Sequence, residues 1–285
     1  VLTRAEALAP DRIDVLAAQG RLHGASGRST LALAYYGRAL ASEPANAEIQ
    51  AASDALRAER AHRVTLGYDY QAFDPSSADF NAGSIALDAR LSDLVRVVVS
   101  GQILRVDDSD EARGGAGIRW LAHPRLVLRA GGSFGGETWL PATDIHGDAV
   151  YSQRRAHWTF GLRYFDFDGA DLWIGGPGLA FDLTPRVTML AQYLRGRTQA
   201  GSAASVTSDN FVFGVHGRPT DRFEARAEYR RGIDRLDWLT VDRLFADEAN
   251  TIAFGASVSV TPFVGVAADY DYQDRTEQLS VHRAR

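Results

Sequence analysis

Cysteine is absent from the 285-residue chain, and Met189 is its single methionine. A soluble enzyme of this length usually carries several of each residue, and the lack of cysteine fits an oxidising compartment of the cell envelope. Lysine is missing as well, so all 31 basic residues are arginine. This bias is typical of a GC-rich genome, and by itself it indicates no mechanism.

Long hydrophobic runs are also missing. Hydrophobic residues make up 45% of the chain, but no stretch approaches the ~20 consecutive apolar residues of a transmembrane helix. This excludes a helical membrane protein. The formal net charge of −5 leaves no general excess of positive charge for nucleic-acid phosphates. We therefore expect no nucleic-acid partner.

The period of the apolar residues changes near Arg63, from 3.6 residues to two. We predict a helical segment over residues 1–61 and a β domain over residues 62–285. In the helical segment, Ala5 and Ala39 are 34 residues apart, as are Pro10 and Pro44. This spacing is the length of a tetratricopeptide repeat.

Small and aromatic residues stand where two antiparallel repeat helices must pack closely, and Pro44 would end the repeat. The predicted packing residues are Gly20, Ala32, Tyr36, Ala39 and Pro44. A generic helical hairpin remains the alternative. Because single repeats cannot bury their apolar faces, we expect further repeats before Val1, in a chain that is a fragment or a processed form.

From Val64 onward, short runs alternate between apolar and polar residues, with about ten residues in each run. Val64, Leu66 and Tyr68 share one face of the first run, and Thr65 and Asp69 share the other. Ten residues suffice for a tilted strand that crosses an outer membrane. We predict an antiparallel transmembrane β-barrel of about fourteen strands, in the range of twelve to sixteen. Pro177 is expected to produce a bulge or a strand end.

Tight turns alternate with longer polar connections, and this asymmetry favours a membrane barrel over a β-sandwich. The longer connections are expected near Asp74–Asp79, Asp107–Ala112, Gly136–Thr143, Gly196–Asp209 and Gly232–Glu248. The last of these contains Trp238, Leu239, Leu244 and Phe245. It is expected to fold inward as a plug, to meet a partner or to form a small core of its own.

Aromatic residues cluster towards the long-connection ends of successive strands, as in the aromatic girdle of a barrel that contacts outer-membrane lipid. The predicted girdle residues are Tyr68, Tyr70, Tyr164, Trp173, Tyr193, Tyr229, Tyr270 and Tyr272.

Several passages resemble the YaiO-type outer-membrane β-barrel family, whose members often carry tetratricopeptide repeats before the barrel. They are Gly67-Tyr68-Asp69-Tyr70, Trp139-Leu140-Pro141, Leu162 to Asp168, and Gly176-Pro177-Gly178-Leu179. The architecture is also similar to that of exopolysaccharide exporters. The resemblance implies an outer-membrane location with the N-terminal segment in the periplasm. The chain departs from most such barrels in stopping at Arg285 rather than at an aromatic residue.

The polar faces of the predicted strands would line the lumen with charges of both signs, which suit water and a polar solute or an internal set of ion pairs. The predicted lumen residues are Asp69, Asp88, Arg90, Arg96, Arg129, Arg163, Glu224, Arg226, Glu228, Arg230, Asp269 and Asp271. Asp148 and Arg119 share these faces.

These features predict a conduit for a polar polymer such as an exopolysaccharide, with the repeats recruiting periplasmic protein partners. A non-conducting structural, receptor or assembly barrel is the main alternative. An outer-membrane hydrolase would need a serine, a histidine and a carboxylate together. The best cluster, Asp144, His146, Asp148 and His157, has no evident serine and would also suit a metal. We therefore predict no catalytic residue, metal or cofactor.

Overall fold

A computed structural model describes residues 9–74, 80–106, 109–136, 139–201, 205–232, 249–261, 263–274 and 280–285. The described chain begins with three helices, α1 (Ile13–Ala25), α2 (Ser29–Ser42) and α3 (Ala47–Arg60). No described helix has the length and apolar character needed to cross a bilayer. Strand β1 begins at Arg63, three residues after α3 ends.

The helices form their own small core, in which Leu16, Ala32 and Tyr36 are almost fully buried. Gly20 lies directly against the Tyr36 ring, so that a methyl group at Gly20 would overlap it. Ala39 is also buried in this core, whereas the exposed Pro44 lies in the turn before α3. Four of the five predicted packing residues therefore meet, and the tetratricopeptide assignment stays a prediction.

Fourteen strands follow within the described chain. They are β1 (Arg63–Asp74), β2 (Phe80–Arg90), β3 (Val95–Val106), β4 (Ser109–His123), β5 (Leu126–Phe134), β6 (Thr143–Gln153), β7 (Ala156–Phe167), β8 (Ala170–Thr184), β9 (Val187–Ala200), β10 (Val206–Thr220), β11 (Phe223–Arg231), β12 (Asn250–Ser259), β13 (Gly265–Asp274) and β14 (Ser280–Ala284).

Each strand pairs antiparallel with its neighbours in the chain, and β14 pairs with β1 from Tyr70↔Ala284 to Asp74↔Ser280. The sheet is thus a closed barrel, which confirms the predicted fold class. Closure satisfies the backbone groups that an open sheet would leave unpaired at its edges.

The two ends of the barrel differ. We call the end with the turns at residues 91–94, 124–125, 154–155, 185–186, 221–222 and 260–264 the short-turn end, and the opposite end the long-loop end. The helices precede β1 at the short-turn end. A first strand that begins on the side of the short turns is the usual arrangement of outer-membrane barrels.

Two predicted long connections were wrong in extent. Only residues 107–108 separate β3 from β4, and residues 201–205 separate β9 from β10. These strands extend past the apolar belt, and their outward side chains there are polar, so the sequence resembles a loop. Arg105 on β3, for example, pairs with Asp110 on β4 at 2.7 Å. Most of the predicted loop Gly232–Glu248, with its four apolar residues, lies outside the described residues.

Pro177 does not end its strand. It pairs with Phe160 in the continuous β7–β8 register, and the register of β8 with β9 is the same before and after it. Before the register shift at Asp182/Thr184, the β8–β9 pairing omits only Gly176 and Pro177. At Gly176 the two backbones approach so closely that a Cβ atom would overlap the carbonyl oxygen of Tyr193. The predicted bulge or strand end was therefore wrong, and the register shift of this pair lies at Asp182/Thr184.

The outer face of the barrel is an exposed apolar belt, with Leu66, Val99 and Phe160 each more than half exposed. At the long-loop edge of this belt, tyrosine hydroxyls bind polar residues on the next strand: Tyr68 donates to Asn81 at 2.7 Å and Tyr229 donates to Asn250 at 2.7 Å. Such a border between apolar and polar surface is typical of a membrane interface.

Candidate lumenal site

Charged side chains occupy the inner face of the barrel, because they alternate with the exposed apolar residues along each strand. The structure joins many of the predicted lumen residues in ion pairs. The pairs are Arg96–Asp88 (3.1 Å), Arg129–Asp148 (2.8 Å), Arg163–Asp144 (2.6 Å), Arg226–Asp269 (2.7 Å), Arg230–Glu228, Asp69–Arg285 (3.5 Å) and Asp271–Arg283 (3.7 Å).

Several of these charges are buried rather than exposed to the lumen. Asp69 is 1% exposed and Asp144 is 3% exposed. Arg163 binds both carboxylate oxygens of Asp144, from its Nε and Nη2 atoms, and its guanidinium lies 4.6 Å from the centre of the Phe165 ring. Such bidentate pairs fix geometry as well as charge, so the positions of both side chains on β6 and β7 are well defined.

Two cavities lie inside the barrel. The first lies at the short-turn end, has a volume of about 550 Å³ and is lined by β9 to β13, including Arg226, Glu224 and Asp269. The second has a volume of about 490 Å³ and extends from Asp88, Arg96 and Arg119 at the short-turn end to Asp144 and Arg163. The predicted lumen residues that line these cavities can meet a solute.

The long-loop half of the interior contains two buried apolar clusters, beside buried charged residues such as Arg230 and Asp271. Phe165, Leu172 and Ile174 belong to one buried cluster, on β7 and β8. A second cluster joins Phe80, Leu104 and Val281 to Leu140, which belongs to the connection between β5 and β6. Since the strand residues of this cluster point inward, Leu140 lies inside the barrel wall.

Glu111 holds this inserted segment. Its two carboxylate oxygens accept hydrogen bonds from the backbone N–H groups of Trp139 and Leu140, at 2.8 and 2.9 Å. The Trp139 ring packs edge-on against Phe80. Sequence reasoning assigned no role to Glu111, because a polar residue near a strand end carries no signal of which loop it will bind.

The helices meet the barrel at the short-turn end through the β2–β3 turn. Asp93 accepts hydrogen bonds at 3.0 Å from the Ser29 hydroxyl and from the N–H and hydroxyl of Thr30. Arg90 also bonds to Ser29, at 2.7 Å, and Arg96 bonds to the carbonyl oxygen of Glu59. Arg90, predicted as a lumen residue, therefore belongs mainly to this junction.

The junction lowers the pKa of Asp93. Burial alone would raise the pKa of this carboxyl, but the hydrogen bonds from Thr30 and Ser29 and the charge of Arg60 stabilise the carboxylate more strongly. The carboxylate is thus the form that binds the helices.

Serine, histidine and aspartate do meet at one point of the inner wall, where His157 of the predicted cluster contacts a serine and an aspartate that the prediction did not include. His157 Nδ1 lies 2.9 Å from Ser152 Oγ, and His157 Nε2 lies 3.0 Å from Asp182 Oδ2. Sequence spacing gave no hint of this contact, because Asp182 reaches His157 only through the β7–β8 register. The Ser152 N–H is bonded to the Arg125 carbonyl, so it offers no donor to an oxyanion, which acyl transfer requires.

The predicted cluster around His146 does not form a catalytic unit. His146 lies 3.8 Å from Asp144, whose oxygens are bound by Arg163. Across the ranges that the structure describes, no three histidine, aspartate or glutamate side chains come together as a metal site.

No protein-family model and no curated protein sequence matches the chain. Solved structures do match it. A bacterial polysaccharide outer membrane secretin superimposes with a TM-score of 0.52 at 8% identity, over 79% of this chain and 97% of that one. An anion-selective porin from Comamonas acidovorans matches over 79% of this chain and 98% of its own, with a TM-score of 0.43 and 8% identity. The chain is thus similar in fold to an outer-membrane barrel.

Proposed function

We propose that the chain is an outer-membrane conduit for a polar polymer, of the exopolysaccharide class, with its short-turn end in the periplasm. The observation that carries this proposal is the pair of charged cavities, of about 550 and 490 Å³, inside a closed barrel with an apolar outer belt. A polar lumen inside a lipid-facing wall is the arrangement of barrels that pass hydrophilic solutes.

Two further features support this class of substrate. The secretin that is similar in fold is a bacterial polysaccharide outer membrane secretin. The passages that resemble YaiO-type barrels suggest the same architecture. The helices dock beside the mouth at the short-turn end. We propose that they are tetratricopeptide-like repeats that recruit periplasmic proteins to that mouth.

The inserted Trp139–Leu140 segment is the gate of the proposed conduit. It belongs to one of the two buried apolar clusters of the long-loop half, and a hydrophobic constriction opposes the passage of water and ions. The two hydrogen bonds of this segment are made to the side chain of Glu111. Substitution of Glu111 can therefore remove them without changing the backbone pairing of the strands.

The experiment compares single-channel conductance of the full chain in planar bilayers with that of Glu111→Ala. Loss of two hydrogen bonds to a charged acceptor releases the segment, so we expect the open probability to rise by about tenfold or more. The matched control is Asp110→Ala, which removes the adjacent carboxylate from an exposed pair with Arg105. It should conduct like the parent chain.

The buried apolar clusters and the buried ion pairs beside them also favour a second function, a non-conducting receptor or assembly barrel. In that case the Glu111→Ala barrel inserts correctly but remains silent. A silent variant, with the heat-modifiable migration of a folded barrel, would refute the conduit and favour this alternative.

A further inference from the structure

Four inward-facing arginines lie side by side on neighbouring strands at the short-turn end. The strand register places Arg90 opposite Arg96, Arg96 opposite Arg119, and Arg119 opposite Arg129. Directly opposite side chains on one face have Cβ atoms about 5 Å apart, and like charges in such positions repel each other. We refer to these four residues as the arginine row.

The outer members of the row have acceptors on the side away from Arg119. Arg96 bonds to Asp88 on β2, at 3.1 Å, and Arg129 bonds to Asp148 on β6, at 2.8 Å. Arg90 is held by the helix junction. Within the described ranges, no carboxylate lies within ion-pairing distance of Arg119, which stands exposed between two other guanidinium groups.

The wall beside Arg119 leaves room for a ligand. The next inward pair along β4 and β5 is Gly117 opposite Gly131, so neither position adds a side chain of its own beside the guanidinium. The His146 ring lies against Gly131. Gly117 borders on the cavity of about 490 Å³, together with Arg96, Arg119 and Arg129 of the row. Six arginines and two aspartates line this cavity. Asp69 and Asp148 are not part of this lining, but they pair with Arg285 and Arg129. When these two carboxylates are counted as well, the cavity still has an excess of positive charge.

We propose that the arginine row is a binding site for the carboxylate groups of an acidic saccharide, with Arg119 as its central contact. A planar guanidinium presents parallel N–H donors that fit the two oxygens of a carboxylate. One such group placed over Arg119 would also relieve its repulsion with Arg96 and Arg129. This proposal rests on the proposed function and names the substrate class for the short-turn end of the conduit.

The other cavity has no comparable feature. There Arg226 pairs with Asp269 at 2.7 Å, and Arg218 pairs with Glu224 at 2.5 Å. The third arginine of this lining, Arg186, pairs with Asp221 at 3.7 Å. Each arginine of this cavity thus has a carboxylate partner, so the site for an anion is on the β2–β5 wall.

The test is equilibrium binding of galacturonic acid oligomers to the full chain in detergent micelles, measured by titration calorimetry. Neutral maltose oligomers of the same length and inorganic phosphate serve as comparison ligands. We expect the acidic oligomers to bind, with an affinity that falls as salt screens the charges. Arg119→Gln should weaken their binding by about tenfold, whereas Arg119→Lys should weaken it less.

The matched control is Arg125→Gln, which removes the same charge from an exposed turn outside the cavity. Arg119 makes no ion pair that folding depends on, so both variants should fold, and heat-modifiable migration checks this. Equal binding by the parent chain and Arg119→Gln, or equal weakening by Arg125→Gln, would refute the site. Phosphate bound as tightly as the oligomers would refute the saccharide assignment.

Calorimetry detects binding whether or not the pore is open. The proposed conduit and the proposed binding site can therefore be refuted independently of each other. Acidic oligomers that bind through Arg119 in a silent barrel would refute the conduit and leave the site. A conducting barrel that binds neither acidic nor neutral oligomers would refute the site and leave the conduit.

Discussion

Asp144 and Arg163 show how single side chains set the stability of the barrel wall. Their side chains are only 4% and 16% exposed, and they meet in a bidentate pair. Removing one partner of a buried pair leaves the other charge without compensation, which costs far more than the pair contributes.

We therefore expect Asp144→Asn to lower the free energy of unfolding by about 3–5 kcal/mol. Asp148→Asn is the control, since its partner Arg129 is half exposed, and it should cost only about 0–1 kcal/mol. Denaturant unfolding in detergent micelles, followed by tryptophan fluorescence, measures both. Equal losses in the two variants would contradict the description of Asp144 as a buried anchor.

Two glycines of the helical segment offer a matched pair of substitutions. A Cβ at Gly20 would overlap the Tyr36 ring, whereas a Cβ at the exposed Gly37 has nothing within 4 Å. Gly20→Ala should destabilise the segment by about 1–3 kcal/mol through overpacking. Gly37→Ala should stabilise it by up to about 1 kcal/mol, because alanine favours the helix.

Loss of the helical circular dichroism signal in urea, with the barrel intact in micelles, measures both variants. If Gly20→Ala stabilised the segment as much as Gly37→Ala, the close contact between α1 and α2 would be wrong.

At the scale of elements, the junction between the helices and the barrel depends on the ionisation of Asp93. Its pKa lies below the ordinary value of about 3.9. A depressed pKa adds stability that is complete above the ordinary value and is lost as the pH falls through the lowered one. The junction should therefore hold unchanged near neutral pH and weaken only below about pH 4.

Hydrogen exchange of the Thr30 amide, which donates to Asp93 at 3.0 Å, follows this weakening once the intrinsic pH dependence is removed. Asp93→Asn should reduce the protection already at neutral pH. Asp54→Asn, in an exposed pair with Arg57 on α3, should not. If the Thr30 amide of Asp93→Asn were protected from exchange as strongly as in the parent chain, the Asp93 carboxylate would not be what holds the helices.

The strands were predictable from sequence because each carries a two-residue alternation that a membrane barrel requires. Val64, Leu66 and Tyr68 point outward as expected, and their exposed fractions are 64%, 76% and 62%. Strand ends were not predictable where strands rise above the apolar belt, since outward pairs such as Arg105–Asp110 look like loop residues.

The candidate site was predictable only in part. Alternation alone places Arg96, Arg129 and Arg226 on the inner face. Which of these side chains form pairs depends on the register between strands, which a single sequence does not specify. For the same reason, the isolation of Arg119 and the contact of His157 with Asp182 emerge only when neighbouring strands are aligned.

The whole molecule combines an apolar outer belt, charged cavities that open towards the short-turn end, and buried apolar clusters with ion pairs beside them in the long-loop half. In the proposed conduit, a polymer enters beside the helices, meets the arginine row and displaces the segment held by Glu111. Binding and gating thus lie at opposite ends of the same lumen, and a ligand can occupy the first without opening the second.

Passage of a polymer through the barrel can be measured from the voltage dependence of current blockade in Glu111→Ala channels. Galacturonic acid oligomers are added on the short-turn side, and the duration of each blockade is recorded as the driving voltage rises. An oligomer that passes through is pulled out faster, so we predict that blockades shorten with voltage. Blockades that lengthen with voltage, or channels that never open, would contradict the conduit.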